Sequence, residues 1–523
     1  MIPSSVVNDY LKRQLDSHLW VKQLTVKQLD AALAQLNPPP KLNPRLRLHQ
    51  KACFLLGVAN PQFCYWLDMG VGKSLLTLEL LRYWFQVGLI KRALIFVTSD
   101  KAFPTWEKQL IEFDIKLPIT ALAGSSEQKW QQLEEFGDGL VLVPYPGALA
   151  MVCTKVKAKK GKKNKFKLDP KKIERLAQWA QAVVMDESTH ASGNSLTFDM
   201  VAHLRKNAKV RYALAGRPFG RDPIMLWAQH YLIDDGETLG ETKGLFRAAF
   251  YNEKPNFWGG PYSKEYKFKD KLRPQLAEMI QHRSITYSAD ECIDMPKVIP
   301  IREVVSFPEE TEQYYLKVLE QVITAKGNLR EMKSAFMRMR QISSGFVGMR
   351  DDETGERAEI EFDANPKLDR LLELIEEVPE GRGCVVYYEF TRSGRKIVEE
   401  LKKLGYKPIW LWSGTEDFRG DFDRFARDKQ PVAVVQNRVG AFAIDGMQKV
   451  ANYDFEFEAP LSPIDFEQAR RRLVRDGQEH HVFQYSLTVK GTMDDKIYKY
   501  LAEGEEIFKA LLRDPTKIVG RLM

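Results

Sequence analysis

The five cysteines of this 523-residue chain, Cys53, Cys64, Cys153, Cys292 and Cys384, form no C-x-x-C pair and have no histidine at zinc spacing. That excludes a disulfide scaffold and leaves buried thiols in a reducing compartment, with no structural metal expected. No stretch approaches the roughly eighteen consecutive apolar residues of a membrane-spanning helix. The opening MIPSSVVNDYLKRQLDSHLW also lacks the apolar block of a secretory leader. The expectation is a soluble, cytoplasmic protein that does not enter a membrane. Internal repeats are missing too, which argues against a solenoid. With 44% hydrophobic and 28% charged residues the composition is that of a folded chain, and its length suggests about two to four domains.

Net basic charge is confined to one place. The stretch KVKAKKGKKNKFKLDPKK, Lys155 to Lys172, holds ten lysines and one aspartate, a net +9 against +8 for the whole chain. Everything else therefore sums to about −1. One reading is a disordered, solvated insertion. The other is a polycation that contacts nucleic-acid phosphates, with Lys159, Lys160, Lys162 and Lys163 at its centre.

The segment WLDMGVGKSLL follows the apolar, β-prone run FCYWL and precedes SLLTLELLRYWF, which has the bulky apolar content of a buried helix. Strand, glycine loop and helix in this order make a phosphate cradle: backbone N–H groups wrap the phosphates, Lys73 reaches the outer ones and the Ser74 hydroxyl binds magnesium. Leu67 stands where the common pattern has its first glycine, so a structural turn at Gly70 and Gly72 remains the alternative. Downstream, AVVMDESTH carries four apolar residues into paired carboxylates. A buried parallel strand would deliver Asp186 and Glu187 this way at its carboxyl end, Asp186 for magnesium and Glu187 to polarise an attacking water. A solvated acidic turn is the plainer alternative.

Beyond these two sites the motif order resembles that of superfamily-2 helicases, specifically the Swi/Snf-type DNA-translocating ATPases. LRLHQKACFLLGV resembles the family's glutamine-bearing entry motif, which implies that Gln50 reads an adenine edge. DMGVGKS is similar to its phosphate loop, which also tolerates a non-glycine at the position of Leu67. ALIFVTSDKAFPTWEKQLIEF looks like the next strand, loop and helix, with Trp106 kept and Thr98 in place of a usual proline. LVLVPYPGAL, with Tyr145, resembles the strand and loop that touch the DNA backbone. YALAGRPFGRD resembles a coupling motif, with Gly216 and Pro218 kept and Arg217 replacing threonine. In the second half, MRQISSGF and NPKLDRLLELIEE look like the helical bridge into a second lobe, and GCVVYYEFTRSGRKIVEELKKLGYKPIWLWSGT alternates as a second α/β core would. EQARRRLVRDGQ resembles the family's Q-x-x-x-R-x-x-R-x-G-Q element. Arg472 and Arg475 sit three apart, so on a helix both would project from one face as arginine fingers; alone, the segment would pass for a solvated basic helix.

The resemblance implies an α/β fold of two RecA-like lobes, each a mostly parallel sheet with flanking helices, and an ATP cleft between them. It implies ATP and Mg2+ as cofactors, with Gln50, Gly70, Gly72, Lys73, Ser74 and Asp186 at the nucleotide. Lys73, Asp186, Glu187, Arg472 and Arg475 would act in hydrolysis. Residues 1–40 read as a helical segment and proline-rich linker, either a docking element or a helix packed on the first lobe. Lobe one is expected over 41–295 and lobe two over 296–523, entered through the proline-containing strand of DMPKVIPIREVVSF and braced by amphipathic helix in MDDKIYKYLAEGEEIFKALLRD. QNRVGAFAIDGMQ departs from the family at Ala441 and Ala443, where glycine is usual, and DESTH departs at Ser188 and Thr189. The expected function is ATP-driven translocation on duplex DNA, as a monomer by default and with room for a protein partner. A strand-separating helicase is the alternative, although no β-hairpin wedge is apparent. A non-hydrolysing nucleic-acid clamp is the alternative of another class.

Overall fold

The runs FCYWL, ALIFV, GLVLVP and AVVM are apolar without alternation, the pattern of strands covered on both faces, and each becomes a strand of one parallel sheet. The computed structural model describes residues 2–156, 165–193, 195–216, 218–219, 223–255, 264–292, 296–324, 329–350, 357–440, 446–475 and 477–503. The chain forms two units, Met1–Ile293 and Asp294–Met523.

The strands of the first unit are β1 (Gln62–Leu67), β2 (Arg92–Val97), β3 (Ile119–Ala121), β4 (Gly139–Pro144), β5 (Cys153–Val156), β6 (Lys165–Leu168), β7 (Ala182–Met185), β8 (Val210–Ala215), β9 (Tyr251–Pro255), β10 (Lys264–Phe268) and β11 (Ser284–Tyr287). Seven of them form an all-parallel sheet in the order β11-β1-β8-β7-β2-β4-β3, so their carboxyl ends share one edge. Helices between the strands cover its faces. β5 with β6 and β9 with β10 are separate antiparallel hairpins. The flanks of the lysine-rich stretch are thus an ordered hairpin rather than part of a disordered insertion.

The N-terminal helices pack on this unit. Tyr10 is buried edge-on against Phe250, and Arg13 donates to the carbonyls of Glu237 and Thr238 at 2.8 Å each. Helix Val26–Ala34 starts at a Thr25–Gln28 capping box and buries Leu29 and Leu33.

The second unit holds β12 (Val298–Val305), β13 (Phe346–Arg350), β14 (Arg357–Glu361), β15 (Gly383–Tyr388), β16 (Ile409–Leu411), β17 (Val432–Gln436), β18 (Ala451–Glu456) and β19 (Val482–Val489). Its parallel sheet runs β12-β19-β18-β15-β17-β16. β12 carries Pro300 and pairs only with β19, the edge place where a missing N–H is tolerated. Helices Glu309–Thr324, Leu329–Ser343 and Met493–Ala502 share a core built on Leu319, Phe336, Met339 and Met493. Beneath it Lys367 and Asp494 form a buried ion pair at 2.9 Å. Among the described residues no helix is long and apolar enough to cross a membrane.

Behind β1 lies an uneasy group. His230, on helix Ile224–Asp234, is fully buried with its ring edge-on to Trp66, and neither ring nitrogen has a hydrogen-bond partner among the described residues. Burial, aided by His282 and opposed by Asp234, pushes its pKa down from 6.5 to about 4. The unfolded chain therefore binds a proton that the fold refuses, and stability falls as pH drops from 6.5 to 4. The penalty approaches about 3 kcal/mol. His230→Leu should flatten that limb in urea unfolding measured across this pH range; an unchanged acid limb would place the sensitivity elsewhere.

Candidate functional site

At the carboxyl end of β1 the chain turns through Asp68–Gly72 into helix Lys73–Gln86. Gly70 (φ 81°) and Gly72 (φ 84°) are left-handed, which is why glycine stands at both. Helix Leu48–Ala59 props the loop from one side: His49 Nε2 donates to the Val71 carbonyl at 2.8 Å, and Gln50 Nε2 to the Gly72 carbonyl at 3.1 Å. In a trans peptide the N–H points opposite its C=O, so the N–H groups of Gly72 and Lys73 face away from that helix. Helix Lys73–Gln86 begins at the same point, adding its positive end. Ser74, half-buried, is its second residue. The Lys73 ammonium folds back onto the carbonyls of Leu67 (2.8 Å) and Asp68 (3.2 Å).

Gln50, which the motif resemblance assigns to an adenine edge, packs against the glycine loop. Its Oε1 accepts from the Arg47 N–H at 2.9 Å while its Nε2 holds the loop, so both ends of the amide are engaged within the protein. It braces the glycine loop from the side of helix Leu48–Ala59.

β7 ends in the acidic turn. Asp186 extends the ladder through its N–H to the Phe96 carbonyl at 2.9 Å, and Glu187 is left-handed at φ 48°, a strained conformation for a residue with a side chain. The Glu187 N–H donates to Asp186 Oδ1 at 3.1 Å. Burial first, then the Glu187 charge, lifts the Asp186 carboxyl well above its ordinary range; the Lys73 ammonium and hydrogen bonds from the Glu187 backbone and Trp106 oppose this. Lys73, Asp186, Glu187 and Trp106 are thus neighbours. Between β1 and β7 runs β8, whose end presents Gly216. A Cβ there would lie 3.9 Å from Lys73 Nζ and 3.8 Å from the Leu67 carbonyl.

Tyr145 needs correcting. The motif places it on the DNA backbone, but it is 3% exposed, its ring is stacked between Phe96 and His190, and its hydroxyl donates to the Asp186 carbonyl at 2.9 Å. With both ring faces covered it supports the acidic turn from below and has no surface for nucleic acid.

In the second unit, helix Pro463–Arg470 stops before the paired arginines. Arg471 to Arg475 form turns, in which Leu473 and Val474 are both buried. The expected common helical face is therefore replaced by a turn. Arg472 is 6% exposed and Arg475 half-buried, and the charges of both act on the buried Tyr387 hydroxyl. Gln484 Nε2 ties the Arg470 carbonyl (2.8 Å) to Asp454 (3.2 Å). Gln478 Nε2 bonds the Ala451 carbonyl at 2.8 Å. Asp454 and Glu456 beneath are buried carboxyls raised by desolvation, Glu456 up to about 7.

Lys159, Lys160, Lys162 and Lys163 lie outside the described residues, as do Arg217, Ala441 and Ala443. The stem below the lysines is described: Lys155 pairs across the hairpin with Phe166, an aromatic ring 59% exposed that the sequence pattern does not flag. The hairpin itself is likewise hidden by the run of charge. No cluster of three or more potential metal-ligating His, Cys, Asp or Glu occurs among the described residues.

No family model matches the chain. A curated protein of Bacillus subtilis (strain 168), YwqA, provisionally named an ATP-dependent helicase/translocase, is 20% identical over 505 residues, covering 90% of this chain and 49% of the relative. The chain thus spans about half the length of that relative. Among solved structures, the Sulfolobus solfataricus SWI2/SNF2 ATPase core in complex with dsDNA is 21% identical with a TM-score of 0.39, covering 92% of this chain and 96% of the other. The same organism's SWI2/SNF2 ATPase core domain is 19% identical with a TM-score of 0.38, covering 90% and 91%.

The packing of Gln50 on the loop is testable. A Cβ on Gly72 would fall 2.2 Å from Gln50 Nε2 and would also meet the left-handed penalty, about 1–2 kcal/mol for an L side chain. Gly72→Ala should lower stability in urea unfolding by more than that penalty, and by less in a Gln50→Ala background. Equal losses in both backgrounds would mean that Gln50 does not press on the loop.

Proposed function

We propose that the chain is an ATP-hydrolysing motor of the Swi/Snf type that translocates on duplex DNA. The observation that carries this reading is the meeting of Lys73, Asp186 and Glu187 past the carboxyl ends of β1 and β7, parallel strands one strand apart, with Gly216 at the end of β8 between them. Outer phosphates would take the Lys73 ammonium in exchange for two loop carbonyls, and the helix N-terminus with the N–H groups of Gly72 and Lys73 would hold the rest. Glu187 is assigned to orienting and polarising the attacking water. Arg472 and Arg475 are assigned to neutralising charge that develops on the γ-phosphate.

Ser74 and Asp186 offer the hard oxygen donors that suit Mg2+. The Asp186 anion, disfavoured by burial and by Glu187, is the group that a nearby dication relieves. Bound magnesium would neutralise phosphate charge. The name of the Bacillus subtilis relative supports a motor. Duplex DNA is supported by the motif resemblance and by the lysine-rich hairpin; backbone contacts of that kind carry little sequence information. Every group in this reading lies on one chain, so it needs no second copy. A strand-separating helicase is the second reading, favoured by Phe166, since an exposed ring on a basic hairpin is suited to stacking on an opened base.

The test is steady-state ATP hydrolysis by the wild type and Glu187→Gln, without nucleic acid and with duplex DNA, single-stranded DNA or RNA. Stimulation by duplex is expected, with a loss on the order of 10²-fold or more in the variant. Stimulation only by single strands or RNA would move the assignment to the helicase, and no hydrolysis with any of them would leave a binding clamp. Separately, replacing the lysines between Lys155 and Lys167 by glutamine should weaken DNA binding. Each phosphate that is no longer neutralised should take about 0.9 from the slope of log affinity against log salt. An unchanged slope would make the hairpin a solvated surface loop.

A further inference from the structure

Helix Ile224–Asp234 packs against β1 and β8 through Leu226, Ala228, Leu232 and Ile233, yet it places an amide, Gln229, at 0% exposure among them. A leucine would fill the same volume without a polar group to satisfy, so packing alone gives no reason for the amide. Both of its ends are used. The Ser188 hydroxyl, itself at 0% exposure, donates to Gln229 Oε1 at 2.6 Å. Gln229 Nε2 donates to the Pro218 carbonyl at 2.7 Å and to the Met225 carbonyl at 3.3 Å.

The two ends belong to two different loops of the candidate site. Ser188 directly follows the strained, left-handed Glu187. Pro218 lies two residues past Gly216, which borders Lys73. A left-handed glutamate persists only where its surroundings over-determine it, and the Ser188–Gln229 bond is a fixed point on its carboxyl side. On its amino side the fixed points are the Asp186 ladder bond and the Tyr145 hydroxyl.

We propose that Gln229 is a positioning residue for hydrolysis: through Ser188 it holds the Glu187 turn in register with Pro218, two residues past Gly216. The inference rests on the reading of Glu187 given above. Gln229 touches no substrate, and its removal leaves Lys73, Ser74 and the phosphate loop as they are. Its loss should therefore act on kcat rather than on nucleotide binding.

The experiment uses the full chain with ATP, magnesium and saturating duplex DNA, comparing wild type, Gln229→Leu, Ser188→Ala and the double variant. Each single variant is expected to lower kcat by about tenfold or more, with the KM for ATP within about twofold of wild type. The double variant should be no worse than Gln229→Leu, because both changes break one connection. Replacing both partners by apolar groups also leaves no buried polar atom of the pair unmatched. Wild-type kcat in the single variants, multiplying losses in the double, or a raised KM with unchanged kcat would each overturn the inference. Should Gln229→Leu not fold, Ser188→Ala alone decides, since Gln229 then keeps both of its carbonyl acceptors. A wild-type chain that hydrolyses no ATP under any condition would overturn the assignment of Glu187 itself, whereas hydrolysis with unaffected variants would overturn only the role of Gln229.

Discussion

The first unit depends on the order of three parallel strands. β8 lies between β1 and β7, so the glycine loop and the acidic turn leave the same sheet edge two strand spacings apart, roughly 9–10 Å. A second intervening strand would carry Asp186 roughly another 5 Å from the Lys73 loop. The middle strand must then end without a side chain in the gap, and it ends at Ala215 and Gly216. Parallel pairing does the rest, because all carboxyl ends fall on one edge without further adjustment.

What converges there is unfavourable in isolation. Glu187 is left-handed, the Asp186 anion is pressed by burial and by a second carboxylate, and the Lys73 ammonium folds back onto two carbonyls of its own loop. Such a constellation persists because rigid, buried parts surround it: the Tyr145 hydroxyl under Asp186, the His49 and Gln50 side chains behind the glycine loop, and the fully buried β1 and β7. On the proposed reading, a dication and a phosphate chain would relieve strain of this kind.

The scaffold and the charged residues are legible in the sequence for a physical reason. Unbroken apolar runs declare buried parallel strands, positive-φ turns demand glycine, and charges placed just after apolar runs have few structural explanations. Thus β1, β7, Lys73 and the Asp186–Glu187 pair follow from the chain alone. The misplaced residues share a cause as well. The motif around Tyr145 says nothing about burial, and its ring faces are covered by Phe96 and by His190, which is 45 residues further along the chain. Arg472 and Arg475 stand at helical spacing, whereas the helix ends at Arg470 and Leu473 and Val474 pack into the core of the second sheet from the turns that follow. Phe166 is masked because lysines on both sides hide a β-hairpin under a charge signal. Tertiary partners that lie far off in sequence decide each of these, and local pattern does not contain them.

The residues least visible in the sequence are the buried glutamines, and they do a similar job in both units. Gln50 bonds the Gly72 carbonyl, Gln229 the Pro218 carbonyl, Gln478 the Ala451 carbonyl and Gln484 the Arg470 carbonyl. Each amide donates to a backbone carbonyl at or near the end of a strand or helix: Gly72 and Ala451 where one begins, Pro218 and Arg470 where one has ended. Lysine or arginine could donate to the same oxygens, but in a water-poor place each would need a counter-charge, and that counter-charge would compete for Lys73 or the site carboxylates. A neutral amide supplies donor and acceptor together and leaves the local electrostatics to Lys73, Asp186, Glu187 and the arginines. Charge is thereby reserved for groups that can meet phosphate and metal, while loop geometry is set by uncharged side chains. A motif search guided by charge finds the first class and passes over the second.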